Sequence, residues 1–147
     1  MLVWIGIGLG VFLLSFPIMF RLMAKASGWK KLVSSYRTEL NGKSIKGKRL
    51  RMHTATFNGI PYQTVLRPVA IKQGLLLRFI QPLPSSHPSI VIPWRAFKTV
   101  RKTQQGKRTN YIISIGDPEI TTMELTQADF KELETHFRVK PKYLKDA

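Results

Sequence analysis

The residues that could do chemistry are few, and their spacing matches no catalytic or metal-binding pattern. The chain of 147 residues contains no cysteine and three histidines, His53, His87 and His136. Without cysteine, disulfides and thiolate metal sites are excluded. The histidines stand far apart, on a predicted strand, a proline-rich loop and a predicted helix, which favours isolated polar roles. We therefore predict no catalytic residue, no metal and no cofactor.

Two other groups of residues resemble site motifs superficially. Asp117, Glu119 and Glu124 cluster around a predicted turn and strand, but charge balance in a very basic domain explains them more simply than paired catalytic carboxylates do. The glycines of GIGLG, residues 6–10, match part of a dinucleotide-binding fingerprint. They lie within an apolar run and not between a strand and a helix, as that fingerprint requires. We predict that the protein is not an enzyme.

Positive charge is the most unusual feature of the composition, and it is concentrated in one part of the chain. The formal net charge is +16. Residues 21–116 hold nineteen Lys or Arg residues against one acidic residue, Glu39, and so carry +18, whereas the remainder carries −2. Such charge fits an anionic lipid surface or nucleic acid. Nucleic-acid binding is the less favoured alternative, because no recognition motif is present.

The first twenty residues form an apolar run with no ionisable side chain. About twenty helical residues span the hydrocarbon core of a bilayer, so we expect residues 1–26 to be a transmembrane anchor. A cleaved signal peptide is the alternative, with a small-x-small site at Ala24-Lys25-Ala26. No Lys or Arg precedes the run, and the run exceeds the roughly 7–15 residues of a signal h-region, so a retained anchor is favoured.

Basic residues follow this run at once and predict its orientation. By the positive-inside rule, Arg21, Lys25, Lys30 and Lys31 place the C-terminal domain in the cytoplasm and the N-terminus outside. Gly6 and Gly10 have the spacing that lets two membrane helices approach closely, so a homodimer through them is a weaker expectation.

Residues 27–48 are predicted to be an amphipathic helix followed by a basic linker. Trp29, Leu32, Val33 and Tyr36 recur at helical spacing. This face fits either the headgroup region of a membrane or the surface of the following domain, and the sequence leaves both open. The predicted membrane-interface residues are the basic and aromatic ones of this region: Arg21, Lys25, Trp29, Lys30, Lys31, Tyr36, Arg37, Lys43, Lys46 and Lys48.

From Arg49 the pattern changes from helical to alternating, which predicts strands. Asn58-Gly59 predicts a two-residue hairpin turn, and one of about seven strands is expected over residues 60–67. Thr126 is a candidate cap for a C-terminal helix, in which Phe130, Leu133 and Phe137 form an apolar face. The expected fold is mainly β, a sandwich or barrel at residues 49–140 closed by one helix, with a tail at 141–147.

Short motifs add a family resemblance. Ser27-Gly28-Trp29, Leu32 and Tyr36-Arg37, followed by His87-Pro88 and Ile92-Pro93-Trp94, resemble small bacterial single-pass membrane proteins. In those proteins an SGW…L…YR segment precedes a β domain with an HP…IPW strand. The strand and helix pattern also looks like the pleckstrin-homology-like fold of bacterial membrane-tethered proteins. The resemblance implies a fold and a location in the bacterial inner membrane, and it carries no activity.

Together these patterns predict a non-enzymatic, membrane-tethered binding module. Its basic cytoplasmic domain would lie against an anionic phospholipid bilayer or a membrane-protein partner. The alternative is an accessory or assembly subunit of a larger membrane protein complex.

Overall fold

The structure is a computed structural model that describes residues 2–36, 46–52, 54–63, 66–79 and 88–145, with α1 side chains described at Gly8 and from Gly10 onward. Helix α1 (Leu2–Ala26) is followed directly by α2 (Trp29–Tyr36), and α3 (Gln127–Glu134) comes near the C-terminus. The predicted amphipathic segment is therefore helical over Trp29–Tyr36. Arg37 and Lys43 lie outside the described residues.

The rest of the described chain is mainly β and forms two sheets, as the alternating pattern predicts. The strands in chain order are β1 (Gly47–Arg49), β2 (Ala55–Phe57), β3 (Ile60–Tyr62), β4 (Leu66–Ile71), β5 (Gly74–Phe79), β6 (Ile90–Pro93), β7 (Phe97–Gln105), β8 (Arg108–Ile115), β9 (Thr121–Thr126) and β10 (Lys142–Tyr143). One sheet has the order β1-β4-β5-β6, and the other has the order β10-β7-β8-β9-β2-β3. The strands begin at Gly47, two residues before the predicted domain boundary, and the predicted C-terminal tail contains β10.

The main core collects alternate side chains from both sheets. Leu75 and Leu77 of β5, Ile92 of β6, and Met123 and Leu125 of β9 are all buried in one apolar cluster. Trp29 and Leu32 of α2 belong to the same cluster. Burial of apolar surface is the main stabilising term in folding, so the buried face of α2 contributes to the stability of the β domain.

The hairpin predicted at Asn58-Gly59 is confirmed. Phe57 pairs with Ile60, and the two turn residues have φ values of 48° and 80°. A type I′ turn needs positive φ at both central residues, which Asn and Gly adopt at low cost. Local turn chemistry alone is therefore sufficient to predict this feature.

The single strand predicted over residues 60–67 is wrong. Ile60–Tyr62 is an edge strand of the six-stranded sheet, whereas Leu66–Ile71 lies inside the four-stranded sheet. Pro61 lacks a backbone donor and therefore suits an edge strand. The chain changes sheets between these strands, and alternation of apolar residues does not register such a change.

The C-terminal helix is confirmed, including its cap. The side-chain oxygen of Thr126 accepts a hydrogen bond from the Asp129 amide at 3.4 Å. Phe130 and Leu133 are buried, and Phe137, just beyond the helix, packs against the same core. The helix covers the β7–β8–β9 region, because Phe130 stacks on Tyr111 of β8 with ring centroids 4.1 Å apart.

Candidate functional site

Helix α1 exposes large apolar side chains in every direction. Their exposed fractions run from 41% at Phe16 to 72% at Leu14. The exposed set within α1 is Val11, Phe12, Leu13, Leu14, Phe16, Ile18, Met19 and Leu22. Since successive helical residues are about 100° apart, the run 11–14 alone faces all sides. A helix that is apolar all round normally has an apolar environment.

Over the described side chains, which in α1 are continuous only from Gly10, no helix by itself has the length and apolar composition needed to cross a membrane. Gly10–Ala26 and Trp29–Tyr36 meet that test only as a pair bent by 70°.

The corner between α1 and α2, residues 27–29, is docked into the β domain; we call it the joint. Gly28 has φ of 78°, a left-handed conformation that favours glycine. A Cβ atom at Gly28 would lie 2.9 Å from Cβ of Thr121, so glycine is also required for close approach to β9. The Asn58 side chain in the β2–β3 turn donates to the Ala26 carbonyl at 3.0 Å.

Ser27 makes the polar contacts of the joint. It is fully buried, and its hydroxyl shares a hydrogen bond of 2.9 Å with the Tyr62 hydroxyl. Its carbonyl accepts a hydrogen bond from the Thr121 hydroxyl at 2.7 Å. Burial raises the pKa of the Tyr62 phenol above 10.0, although the Ser27 hydrogen bond opposes this shift. Satisfied polar groups in a buried site rigidify it, so the joint fixes α1 relative to the sheets.

Trp29 makes the apolar contacts of the joint. Its ring has no exposed surface and meets Phe79 edge to face with centroids 4.7 Å apart, and Phe57 with centroids 5.5 Å apart. Its indole N–H donates to the Pro88 carbonyl at 3.3 Å. The prediction that Trp29 lies at a membrane interface is therefore corrected. Trp29 packs against the β domain, because the face of α2 that carries it is buried there.

The other predicted interface residues fall into two groups. Arg21 and Lys25 of α1 and Lys30 and Lys31 of α2 are exposed around the joint. Tyr36 is half-buried against the main core. Lys46 and Lys48 are exposed at strand β1, at the edge of the four-stranded sheet.

A groove lined by four arginines lies on the outer face of the four-stranded sheet. This arginine groove has a volume of about 620 Å³, and its lining includes Arg49, Arg51, Arg67, Arg78 and Phe79. Arg67 and Arg78 are directly opposite each other on paired strands β4 and β5. None of the described residues that line the groove is acidic. The groove can therefore attract an anion.

The arginine groove adjoins the joint. Phe79, which lines the groove, is the same residue that contacts Trp29. Trp29 is three residues beyond the end of α1. The groove thus lies at the end of the domain from which α1 projects. Asp117 and Glu119 are exposed in the turn before Thr121, so that end of the domain has an acidic side as well as a basic one.

A second basic cavity, which we call the histidine pocket, lies farther along β1. It has a volume of about 390 Å³ and is lined in part by Lys46, Lys72, Arg138 and His136. The Nε2 atom of His136 is buried without a hydrogen-bond partner among the described residues. His53 and His87 lie outside the described residues. In the described part of the chain, no three or more His, Asp or Glu side chains are grouped so as to hold a metal ion.

The four groove arginines are not among the interface residues predicted from the sequence. Two local signals were available: Arg49 and Arg51 alternate with Leu50, and a turn at Lys72-Gln73 would place Arg67 opposite Arg78. No protein-family model matches the chain, and no curated protein shows significant similarity to it.

Proposed function

We propose that this protein is a non-enzymatic, membrane-tethered binding module. Helix α1 crosses the bacterial inner membrane once, with the N-terminus outside, and the joint holds a pleckstrin-homology-like β domain against the cytoplasmic leaflet. The ligand surface is the basic side of that domain, which faces anionic lipid.

The observation that carries this proposal is the exposure of α1. Each exposed apolar side chain in contact with water costs about 1.5–3 kcal/mol relative to full burial. Eight such residues lie between Val11 and Leu22. A bilayer accommodates them all, because it surrounds the helix on every side. The backbone of α1 covers 25 residues, or about 37 Å of helix, against about 30 Å of hydrocarbon.

The distribution of charge supports the orientation. Arg21, Lys25, Lys30 and Lys31 are exposed at the end of α1 that meets the domain. Positive residues next to a membrane helix favour the cytoplasmic side. Each Lys or Arg near an anionic leaflet contributes about 1 kcal/mol of attraction. The four basic residues and the groove together would therefore attract the domain to the lipid surface.

An accessory subunit of a membrane protein complex is the second candidate, and Gly10 favours it. A Cβ atom at Gly10 would meet nothing within 4 Å, so its helix surface is open to close approach by another helix. Gly6, four residues earlier, lies outside the described side chains. Stable co-purification of defined partners in mild detergent would support this candidate over an isolated monomer or a Gly6–Gly10 homodimer.

A single engineered cysteine tests the proposed topology, since the natural chain has none. Lys107→Cys places the thiol in the exposed β7–β8 turn. We expect a membrane-impermeant maleimide to leave it unlabelled in intact bacterial cells and to label it fully after lysis. A cysteine added before Met1 is the matched control and should be labelled in intact cells. Labelling of Lys107→Cys without lysis would contradict the cytoplasmic location.

A further inference from the structure

Residues 138–145, which we call the C-terminal segment, expose apolar side chains to solvent. Among the described residues, the large apolar side chains that are exposed lie either in α1 or in this segment. Those of the segment are Val139 at 51%, Tyr143 at 50% and Leu144 at 38% exposed. A single exposed apolar residue is normal on a protein surface, but here three of them fall within six residues. The segment therefore differs from the rest of the described surface of the β domain.

Basic side chains are interspersed with the apolar ones in the C-terminal segment. The segment has no acidic residue, and its basic residues are all exposed: Arg138, Lys140, Lys142 and Lys145. This combination is typical of a surface that lies in lipid headgroups, because the apolar groups enter the interface while the long basic side chains reach anionic phosphate. Tyrosine, which has a polar end on an aromatic ring, is enriched at that level of a bilayer.

The C-terminal segment is docked on the domain at the edge of the six-stranded sheet. Pro141 is buried, and the Leu144 amide donates to the Val100 carbonyl at 2.8 Å. The Tyr143 hydroxyl donates to the Glu134 carboxylate of α3. Tyr143 is half exposed with this hydrogen bond in place. The apolar side chains are therefore exposed on a segment whose backbone is held by the domain.

The register of the sheet places the C-terminal segment at the joint end of the domain. A row of paired residues crosses the sheet from β10 to β9: Lys142, Thr99, Ser114 and Thr122. The Thr122 carbonyl accepts from the Asn58 amide at 3.0 Å, and the Asn58 side chain donates to Ala26, the last residue of α1. Adjacent strands lie about 4.8 Å apart, so the row from Lys142 to Thr122 covers roughly 14 Å. The segment and the end of α1 therefore lie at the same level of the sheet.

The turn between β8 and β9 lies between these two parts of the chain and is acidic. Asp117 and Glu119 are exposed there, and an anionic bilayer would repel them. The four basic residues of the C-terminal segment, together with those around the joint, outnumber these two carboxylates. The net interaction of this end of the domain with anionic lipid is therefore attractive.

We infer that the C-terminal segment is a second contact of the protein with an anionic lipid surface. Val139, the most exposed of its apolar side chains, enters the interface, and Lys140 and Lys142 reach the lipid phosphates. Contact at the segment and at α1 holds the β domain at two points, which fixes its orientation on the membrane. The inference rests on the proposed membrane attachment, because α1 brings the segment to the bilayer.

The test measures the contact of position 139 with lipid in the full-length protein, reconstituted into vesicles. Val139→Cys is labelled with bimane, since the natural chain has no cysteine. The vesicles contain a lipid with a nitroxide on its headgroup, in phosphatidylcholine alone or mixed with phosphatidylglycerol. Insertion of α1 attaches the protein to both kinds of vesicle, whereas the basic residues of the segment need anionic lipid. We expect quenching at position 139 to be about twofold stronger or more with phosphatidylglycerol.

Two charge variants of the labelled Val139→Cys protein show whether the segment itself makes the contact. Lys140→Gln/Lys142→Gln should lose most of the increase that phosphatidylglycerol gives. The matched control, Lys107→Gln/Arg108→Gln, removes the same charge from exposed positions of the far β7–β8 turn. It should keep the increase, because charges far from the lipid are screened. Equal losses in the two variants, or quenching that does not respond to phosphatidylglycerol, would overturn the inference.

Folding of each variant is checked by circular dichroism. If Lys140→Gln/Lys142→Gln does not fold, Arg138→Gln/Lys145→Gln replaces it with the same expectation, because both of these residues are also exposed.

Flotation of the vesicles separates failure of this inference from failure of the proposed function. Retention of the protein on both kinds of vesicle, without quenching at position 139, would overturn the lipid contact of the segment and leave α1 as the anchor. Loss from phosphatidylcholine vesicles would contradict anchoring by α1. Binding and quenching that persist on phosphatidylglycerol in that case would still support the segment as a lipid contact.

Discussion

Replacing Leu14 and Ile18 together with arginine is expected to remove the protein from the membrane fraction. Both side chains are exposed, at 72% and 58%, and they lie one turn apart in α1. Arginine near the centre of a membrane helix costs about 2.5–3.5 kcal/mol, so the pair costs about 5–7 kcal/mol of insertion free energy. Neither residue contacts the β core, so the domain itself should stay folded. Fractionation after an alkaline carbonate wash measures the effect.

Leu22→Arg is the control for added charge in the same helix. Leu22 is 62% exposed but adjoins Arg21, at the end of the apolar run. A long basic side chain there can reach the headgroup region, so this variant should remain in the washed membranes like the natural protein. Retention of Leu14→Arg/Ile18→Arg in those membranes would contradict the placement of α1 in lipid.

Replacing Trp29 with alanine is expected to destabilise the β domain by about 3–5 kcal/mol. The ring is fully buried, and its contacts with Phe79 and Phe57 join α2 to both sheets. Thermal unfolding of the full-length protein in micelles, followed by circular dichroism, should show a midpoint lower by about 10 °C or more.

Two further variants at the joint show whether the loss comes from packing. Lys30→Ala removes an exposed neighbour on the same helix and should change stability by less than about 0.5 kcal/mol. Trp29→Phe keeps a ring against Phe79 but loses the hydrogen bond to the Pro88 carbonyl, so its midpoint should be intermediate. A Trp29→Ala protein as stable as Lys30→Ala would show that α2 does not belong to the core.

Features set by neighbouring residues were predictable from the sequence. The Asn58-Gly59 turn needs only two residues that accept positive φ. The Thr126 cap and the apolar face at Phe130 and Leu133 also depend on one helical segment. These elements form as predicted because their determinants are local.

Features that depend on tertiary packing were not predictable. The amphipathic pattern of Trp29–Tyr36 is equally suited to lipid and to a protein core. The burial of Trp29 and Leu32 in the main core shows that it faces the core. The strand predicted at 60–67 is divided because the chain passes from one sheet to the other, a change that a period-two pattern does not encode.

The arginine groove also depends on tertiary packing. Sequence alone can place Arg67 opposite Arg78 once the turn between β4 and β5 is assumed. It cannot place β1 beside β4, because these strands are not consecutive. That pairing brings Arg49 and Arg51 close to Arg67 and Arg78. The distribution of charge along the sequence therefore indicates the basic region but not the arginine groove.

We propose that the joint holds the groove side of the domain at the lipid surface. Lys48 is exposed on strand β1, next to the groove residue Arg49. Lys107 lies at the opposite end of β8 from the joint, roughly 25 Å along the strand. The two positions therefore differ in their expected distance from the bilayer.

The most direct measurement is fluorescence quenching by lipids that carry a nitroxide on the headgroup. Full-length Lys48→Cys and Lys107→Cys, each labelled with the same fluorophore, are reconstituted into vesicles containing phosphatidylglycerol. We predict strong quenching at position 48 and little at position 107. Equal quenching at both positions, or stronger quenching at position 107, would contradict the placement of the groove side at the lipid surface.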